Sequence, residues 1–179
     1  MKKSFLFVSL LFLTGCERSI DIKNLSEINN HLISNNKNYN GSVYQQTAGR
    51  KVTLGKVKNG KKIGIWFDTG PILVHRGQYD DGKRNGIWNG RYRTVDQPLG
   101  YTGEYKDDLK VGEWKGFSKR GKLLYLGNFI NGLKDSTWKY WYENGILSDS
   151  GKYKDGIEVG SWKYYKEDGS FEKEKFYKQ

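Results

Sequence analysis

A pattern of glycine and tryptophan repeats five times and constrains the fold more than any other feature of this 179-residue sequence. In each copy a glycine stands eleven positions before a tryptophan. The five pairs are Gly55/Trp66, Gly77/Trp88, Gly103/Trp114, Gly127/Trp138 and Gly151/Trp162. The lead glycines are 22, 26, 24 and 24 residues apart. Self-similarity at a fixed period predicts an array of stacked units that contact their neighbours along the chain.

Each unit has the sequence of a β-hairpin. Residues 122–130 are rich in apolar, β-branched and aromatic side chains, and residues 137–143 form an aromatic return strand. Asn131-Gly132 tolerates positive φ, and Asn144-Gly145 predicts a two-residue hairpin turn. Neither segment shows the apolar spacing of a helix. We therefore predict an all-β fold, an elongated meander of tandem β-hairpins.

The repeat glycines and tryptophans are interpreted as turn and core residues and not as catalytic or binding residues. A glycine in mid-strand leaves room for the tryptophan ring of the neighbouring strand to lie flat over the backbone. At the ends of the array, residues 43–47 predict an entry strand, and residues 171–178 predict a last strand without a return partner. The lysines of that last segment suit an edge that resists pairing with other chains.

The pattern G-x-Y-x-x-G-x-x-x-G-x-W-x-x-Y-x-x-x-G resembles the MORN-repeat superfamily, in the bacterial second-type variant often labelled YwqK-type antitoxin. The resemblance covers residues 49–178 and implies a repeat scaffold. The sequence departs from the family pattern at Asp108 and Ser136 in glycine slots, at Val57 in an aromatic slot, and in the 26-residue second unit.

The N-terminus has the features of an export signal. Two lysines precede the apolar residues 5–13, a stretch too short to span a bilayer. Leu13-Thr14-Gly15-Cys16 resembles the lipobox of bacterial lipoproteins, which implies cleavage before Cys16 and lipid attachment there through three acyl chains. By resemblance to the enterobacterial sorting rule, Glu17 implies the outer membrane, facing the periplasm. The alternative is a generic secretory signal in which the cysteine is incidental.

This interpretation divides the chain into a signal peptide at 1–15, a lipidated tether at 16–41 and a repeat domain at 42–179. The tether is rich in asparagine and is expected to be flexible or partly helical, since Leu25, Ile28, Leu32 and Ile33 have near-helical spacing. Extended, about 25 residues would hold the sheet tens of ångströms from the membrane.

The charge balance favours anionic partners. The formal net charge is +11, of which Lys2 and Lys3 supply two. Such a surface attracts acidic proteins or anionic lipid headgroups, although ordinary solubility explains it equally well. Lysines alternate with aromatic residues around Trp138 and Trp162, as on single-stranded nucleic-acid platforms. Export argues against nucleic acid as the ligand.

The residues give no basis for catalysis or for a metal site. The two histidines are His31 and His75, and neither a G-x-S-x-G nor an H-E-x-x-H motif is present. The pairs Asp80-Asp81 and Asp107-Asp108 fall in turn slots, where aspartate is a common turn former. We expect no enzyme activity, no cofactor and no metal.

Two groups of residues are candidates for partner binding. Phe117, Trp141 and Tyr165 each lie three residues past a repeat tryptophan, so alternation places them on the opposite face of the sheet. A thin sheet cannot bury both faces, and exposed aromatics amid basic residues are typical of interface hot spots. Packing between neighbouring hairpins is the alternative.

The second group lies in the insertion of the second unit, where Arg91, Tyr92 and Arg93 replace a short turn. Insertions in repeat proteins form loops that often bind partners, and two arginines suit acidic groups. A tolerated insertion without function explains it as well.

Together these features predict a lipid-anchored periplasmic protein-binding module. The antitoxin label implies a toxin as the protein partner, neutralised by occlusion. Such a protein would resemble immunity proteins against toxins of the envelope, for example secreted phospholipases. The alternative is a structural or scaffold lipoprotein that binds anionic lipid or glycan. The oligomeric state does not follow from the sequence.

Overall fold

Short strands and tight turns make up almost the whole of the computed structural model, which describes residues 18–178. The first strands are β1 Ser19–Asp21, β2 Ser26–Ile28, β3 His31–Ser34 and β4 Lys37–Asn38, with a 3₁₀ turn at Ile22–Asn24. The repeats contain β5 Gly41–Thr47, β6 Arg50–Lys58, β7 Lys61–Thr69, β8 Leu73–Asp80, β9 Lys83–Tyr92, β10 Leu99–Lys106, β11 Leu109–Phe117, β12 Leu123–Ile130, β13 Leu133–Trp141, β14 Leu147–Lys154, β15 Ile157–Tyr165 and β16 Phe171–Tyr177.

The strands of the repeats form one continuous sheet in chain order. Within the described chain this sheet has 13 strands, in the order β1, β5 and then β6 to β16. β1 pairs with β5 in parallel, and every later pair is antiparallel. The predicted all-β meander of hairpins is confirmed, with an entry strand at Gly41–Thr47 and a last strand at Phe171–Tyr177 that pairs with β15 alone among the strands described.

Two kinds of turn alternate along the sheet. Inside each unit both turn residues have positive φ, for example Asn131 at 50° and Gly132 at 83°. Such mirror-image turns match the twist of the strands, and Asn, Asp and Gly tolerate them at low cost. Asp108, in a glycine slot, has φ 70°, and its carboxylate accepts hydrogen bonds from the Arg84 backbone N–H and side-chain Nε.

Between units the turn is longer than the sequence predicts. At Asn144-Gly145 only Gly145 has positive φ, and the Tyr142 N–H donates to the Ile146 carbonyl over 2.9 Å. The loop therefore contains three residues, ending in a left-handed glycine, and the expected two-residue turn is wrong here. The same arrangement recurs at Gly121 and Gly169.

The core consists of the repeat tryptophans lying on glycines. Each of the five is at most 2% exposed, and a Cβ built on its lead glycine would overlap the indole ring. Each indole Nε1 donates to the carbonyl of the residue after that glycine, over 2.9–3.2 Å. The expected ring-over-glycine packing is confirmed.

A β-bulge with two extra residues on the return strand makes room for the ring. In the second to fifth units the lead glycine faces three residues of the return strand, as Gly151 faces residues 160–162. The bulge opens at the slot nine residues after the lead glycine, where φ is 62–67° in all five units. Four units have glycine there, and Ser136 adopts the same conformation in the fourth unit. A bulge re-aims side chains locally, and here it turns the tryptophan over the neighbouring strand.

The segment expected to be a tether is folded over residues 18–40 and caps the array. Asn29, Asn30, Asn35 and Asn36 all have positive φ and form two hairpin turns, so β2, β3 and β4 make a small sheet. Leu32 and Tyr39 are buried with Trp66. The Gly60 N–H donates to the Tyr39 carbonyl, as Gly82 donates to Lys62 one unit later. The expectation of a flexible or helical tether is wrong for these residues, because they complete the first unit.

The signal peptide at 1–15 and the lipid-attachment residue Cys16 lie outside the described residues. Across residues 18–178, no helix has the length and apolarity needed to cross a bilayer.

We predict that a methyl group on a lead glycine destabilises the sheet strongly. In Gly127→Ala the Cβ meets the Trp138 ring, and overpacking of this kind costs about 2–3 kcal/mol. Gly112→Ala is the matched control, since its Cβ meets nothing within 4 Å and only the φ of 64° is strained, at about 1 kcal/mol. Denaturant unfolding measures both, and equal losses would contradict the packing described here.

Candidate protein-binding surface

One face of the sheet, the aromatic face, carries a continuous ladder of rings. It is defined by the five repeat tryptophans and by the residue two positions after each lead glycine. Tyr79, Tyr105, Phe129 and Tyr153 each stand edge-on between two tryptophans, with centroids 5.0–6.2 Å apart and interplanar angles of 74–87°. Such contacts each add about 0.5–1.5 kcal/mol beyond area burial. The ladder holds neighbouring units in one fixed arrangement.

Two tyrosines lie beside this ladder and, like the tryptophans, rest directly on the sheet. Tyr101 stacks on Trp114, and Tyr125 stacks on Trp138. Each tyrosine also covers a glycine, Gly90 or Gly116, where a Cβ would overlap the phenol ring. These tyrosines are half-buried, so their outer surfaces face solvent.

A row of cations crosses the aromatic face, one in each of the first four units. Lys62, Arg84, Lys110 and Lys134 all stand seven residues after a lead glycine, and Glu158 takes this slot in the fifth unit. Each charge lies over rings of its own or the next unit. Examples are Arg84 at 4.2 Å from the Tyr105 centroid and Lys110 at 4.2 Å from that of Trp114. Cation–π attraction therefore fixes the position of each charge.

The centre of the face is a groove of about 380 Å³. Its walls include His75, Arg84, Tyr101, Tyr105, Lys110 and Tyr125. His75 Nδ1 lies 2.8 Å from the Tyr101 hydroxyl. Arg84 forms an ion pair with Asp108 at 2.9 Å, whereas Lys110 has no carboxylate within ion-pair distance in residues 18–178.

The groove contains one carboxylate, Asp68, which already accepts hydrogen bonds from Lys62 Nζ and the Tyr79 hydroxyl. The phenols and the lysine of the groove are hydrogen-bond donors. Burial raises the pKa of Tyr101 to about 12 and raises the pKa values of Tyr105 and Tyr125, so these phenols keep their protons at neutral pH. Burial lowers the pKa of Lys110, and the neighbouring charges of Arg84 and Lys134 lower it further. An anion placed here would offset that repulsion. The arrangement therefore suits carboxylate or phosphate groups.

Three of the predicted site residues lie on the face opposite the groove. Phe117, Trp141 and Tyr165 occupy equivalent register positions, opposite Leu123, Leu147 and Phe171 of the next strand. All three are half-buried, because these cross-strand neighbours pack beside them. Their placement on one face agrees with strand alternation, and the structure shows a mixture of packing and exposure.

The residues of the insertion are held by the chain itself. Arg91 donates to the Gln97 carbonyl over 3.0 Å, and Arg93 donates to the Gly70 carbonyl over 3.2 Å. Both arginines are otherwise exposed. Tyr92 is half-buried, and its hydroxyl donates to the Phe117 carbonyl over 2.9 Å, so the structure brings these two predicted residues together. The six predicted residues do not form one patch.

The groove on the aromatic face was not predicted from the sequence. One signal for it was present, namely the basic residue seven positions after four lead glycines. The tyrosines two positions before Gly103 and Gly127 were a second signal. Each of these tyrosines covers a glycine on the preceding strand, so the contact between tyrosine and glycine depends on the register in which the two strands pair.

Comparison of the sequence with protein-family models and with curated proteins finds no match at a significant level. The resemblance to MORN repeats therefore stays a prediction from the motif, and function has to be argued from the surface itself.

The buried phenols predict how stability changes at high pH. A folded-state pKa above the unfolded value of about 10 stabilises the fold below pH 10, and this contribution is lost as pH rises through about 12. We expect the free energy of unfolding to fall across this window in the wild type, and to fall less in Tyr101→Phe. Tyr44→Phe, outside the groove, is the matched control. Identical slopes in all three proteins would show that Tyr101 titrates as it does in the unfolded chain.

Proposed function

We propose that this chain is a non-catalytic protein-binding module of the bacterial envelope. It is held by lipid at Cys16, faces the periplasm and neutralises an envelope-targeting toxin by covering it with the aromatic face. The observation that carries the binding part is the row of four cations above an ordered aromatic ladder. The lipid anchor and the toxin rest on the resemblances of the lipobox and of the repeat motif.

The dimensions of the row favour a protein as the ligand. Lys62, Arg84, Lys110 and Lys134 lie on every second strand from β7 to β13. At about 4.8 Å per strand, the row covers roughly 29 Å along the sheet. A small molecule fills only one part of such a surface, whereas a standard protein interface covers about 800 Å² on each partner.

The composition of the face also supports protein binding. Tyrosine and arginine are among the residues most enriched in binding hot spots. Tyr101, Tyr125 and Arg84 are half-buried and supply the accessible part of this face, whereas the tryptophans beside them are at most 2% exposed. Here their rings are already packed against one another, so little side-chain entropy remains to be lost on binding. A partner with carboxylates spaced along one surface would satisfy the cations and the phenol donors together.

Occlusion needs no reacting group on this chain. A stiff sheet laid across the mouth of an active site excludes the substrate sterically, and a lipid anchor keeps the inhibitor near the membrane under attack. A secreted phospholipase is the kind of toxin that the resemblance implies.

The test of immunity combines a gene deletion with charge reversal. Deletion should make cells sensitive to attack by sibling cells, and the wild-type gene should restore resistance. Lys110→Glu should fail to restore it, because it places a carboxylate where the partner's acidic group binds. Lys163→Glu, an exposed position on the opposite face, is the matched control and should restore resistance fully.

Unfolding curves of both variants separate a binding defect from a folding defect. If deletion leaves resistance unchanged, the immunity function is wrong. If the protein alone coats anionic glycan or vesicles through the aromatic face, the scaffold alternative replaces it.

The lipid anchor has its own test. Cys16→Ser removes the thiol that would receive the diacylglyceryl group, so the protein should move from the membrane fraction to the soluble fraction. Unchanged membrane retention in fractionated cells would show that Cys16 is not the anchor.

A further inference from the structure

The positive charge of this chain is concentrated at one end of the sheet. Residues 18–62 contain nine lysines and arginines but only two acidic residues, Asp21 and Glu27. The net charge of +7 in this quarter of the chain accounts for most of the +11 of the whole. The sheet starts in this same segment, so the charge lies at its N-terminal edge.

Four of these cations surround β1, and we name them the β1 patch: Arg18, Lys23, Lys37 and Lys51. Arg18 and Lys37 line one cavity, and Lys51 Nζ donates to the Ser19 hydroxyl over 2.8 Å. All four side chains are exposed. Asp21 is buried, and its carboxylate lies 3.9 Å from Lys23 Nζ.

β1 is an edge strand that begins almost at the proposed anchor. It pairs with β5 alone among the described strands, and the Arg18 carbonyl already accepts a hydrogen bond from Ser42 N–H at 2.8 Å. Arg18 is two positions after Cys16 in the sequence, so their Cα atoms lie at most about 7 Å apart. That distance is shorter than the Debye length of about 8 Å at physiological ionic strength. Arg18 therefore lies within the electrostatic reach of the headgroups that surround the lipid chains, and the other three cations of the β1 patch lie around the strand that begins next to it.

We propose that the β1 patch is a membrane-docking surface for anionic phospholipid headgroups. This inference rests on the lipid anchor that is part of the proposed function, and it assigns to the membrane a surface separate from the aromatic face. Each basic residue near an anionic surface adds attraction, so the patch supplies a second membrane signal beside the acyl chains.

Docking through β1 also sets the orientation of the protein. The strands then run roughly parallel to the membrane, and successive strands lie farther from it. Twelve inter-strand steps of about 4.8 Å place β16 about 55–60 Å from β1 along the sheet. The aromatic face stands upright in this orientation and is open to a partner from the side.

The test uses the chain from residue 17 onward, which has no acyl chains and retains every strand pairing described here. Its binding to vesicles of phosphatidylcholine, with or without phosphatidylglycerol, is measured by co-sedimentation at low and high salt. We expect binding only to the anionic vesicles, weakening steeply as salt rises.

Two triple variants locate the surface. Arg18→Gln/Lys23→Gln/Lys37→Gln removes three charges from the β1 patch and should weaken binding about a hundredfold at low salt. Lys119→Gln/Lys163→Gln/Lys166→Gln removes three exposed charges elsewhere and should change binding only a few-fold. Unfolding curves confirm that both variants are folded. Equal losses would show attraction by net charge alone, and no binding by the parent chain would also overturn the proposal.

These outcomes are separable from failure of the proposed function. The vesicle assay uses no toxin and no acyl chain, so it succeeds or fails on the β1 patch alone. A chain that docks on anionic vesicles but gives cells no resistance retains the docking surface and refutes immunity. A chain that gives cells resistance but does not bind anionic vesicles supports immunity and refutes the docking surface.

Discussion

The structure depends on one contact, in which a tryptophan ring lies on the lead glycine of the preceding strand. The indole N–H of the same ring donates a hydrogen bond to the carbonyl of the residue after that glycine. A single-layer sheet has no second layer to bury large side chains, yet the repeat tryptophans are at most 2% exposed. The ring achieves this by occupying the space where the lead glycine would carry a Cβ. Because each ring covers the strand before it, the contact joins consecutive strands, and the array is stabilised between neighbours along its length.

The same contact determines the chemistry of the surface. The tryptophan rings lie flat on the sheet. Tyrosines and Phe129 pack edge-on between them, and the cations lie over the rings. Lys110 is then held among like charges in a groove whose phenols keep their protons. A surface built for core packing thereby becomes a donor-rich face with fixed charges. In the proposed function the residues that pack the sheet also bind the partner, so the partner would meet side chains that are already ordered.

Period and turn chemistry are enough to predict the repeat strands. An Asn-Gly or Asp-Gly pair that ends five residues after the lead glycine marks the reversal in four of the five units, and each repeat tryptophan marks a return strand. The N-terminal segment was missed because β2, β3 and β4 have only two to four residues, too few to show alternation. Its paired asparagines, which were interpreted as a polar tether, are hairpin turns. Their role depends on Leu32 and Tyr39 filling the first unit, a contact between distant parts of the chain.

Strand alternation placed Phe117, Trp141 and Tyr165 on the correct face but could not give their burial, which depends on the side chains opposite them. The groove was beyond the sequence for a related reason. Tyr101 covers Gly90 only because β9 and β10 pair in one register, bent by a bulge, and no local pattern states that register. Local sequence signals thus predict the strands and the face on which a side chain lies, whereas the groove is formed by the pairing between strands.

The central claim is that the aromatic face covers a protein partner, and site-specific photocrosslinking in living cells under attack tests it most directly. A photoreactive residue replaces Tyr125 on the aromatic face or, in a second strain, Trp141 on the opposite face. We predict a crosslinked toxin from position 125 and none from position 141. A toxin captured only from position 141, or no partner from either position, would contradict the account.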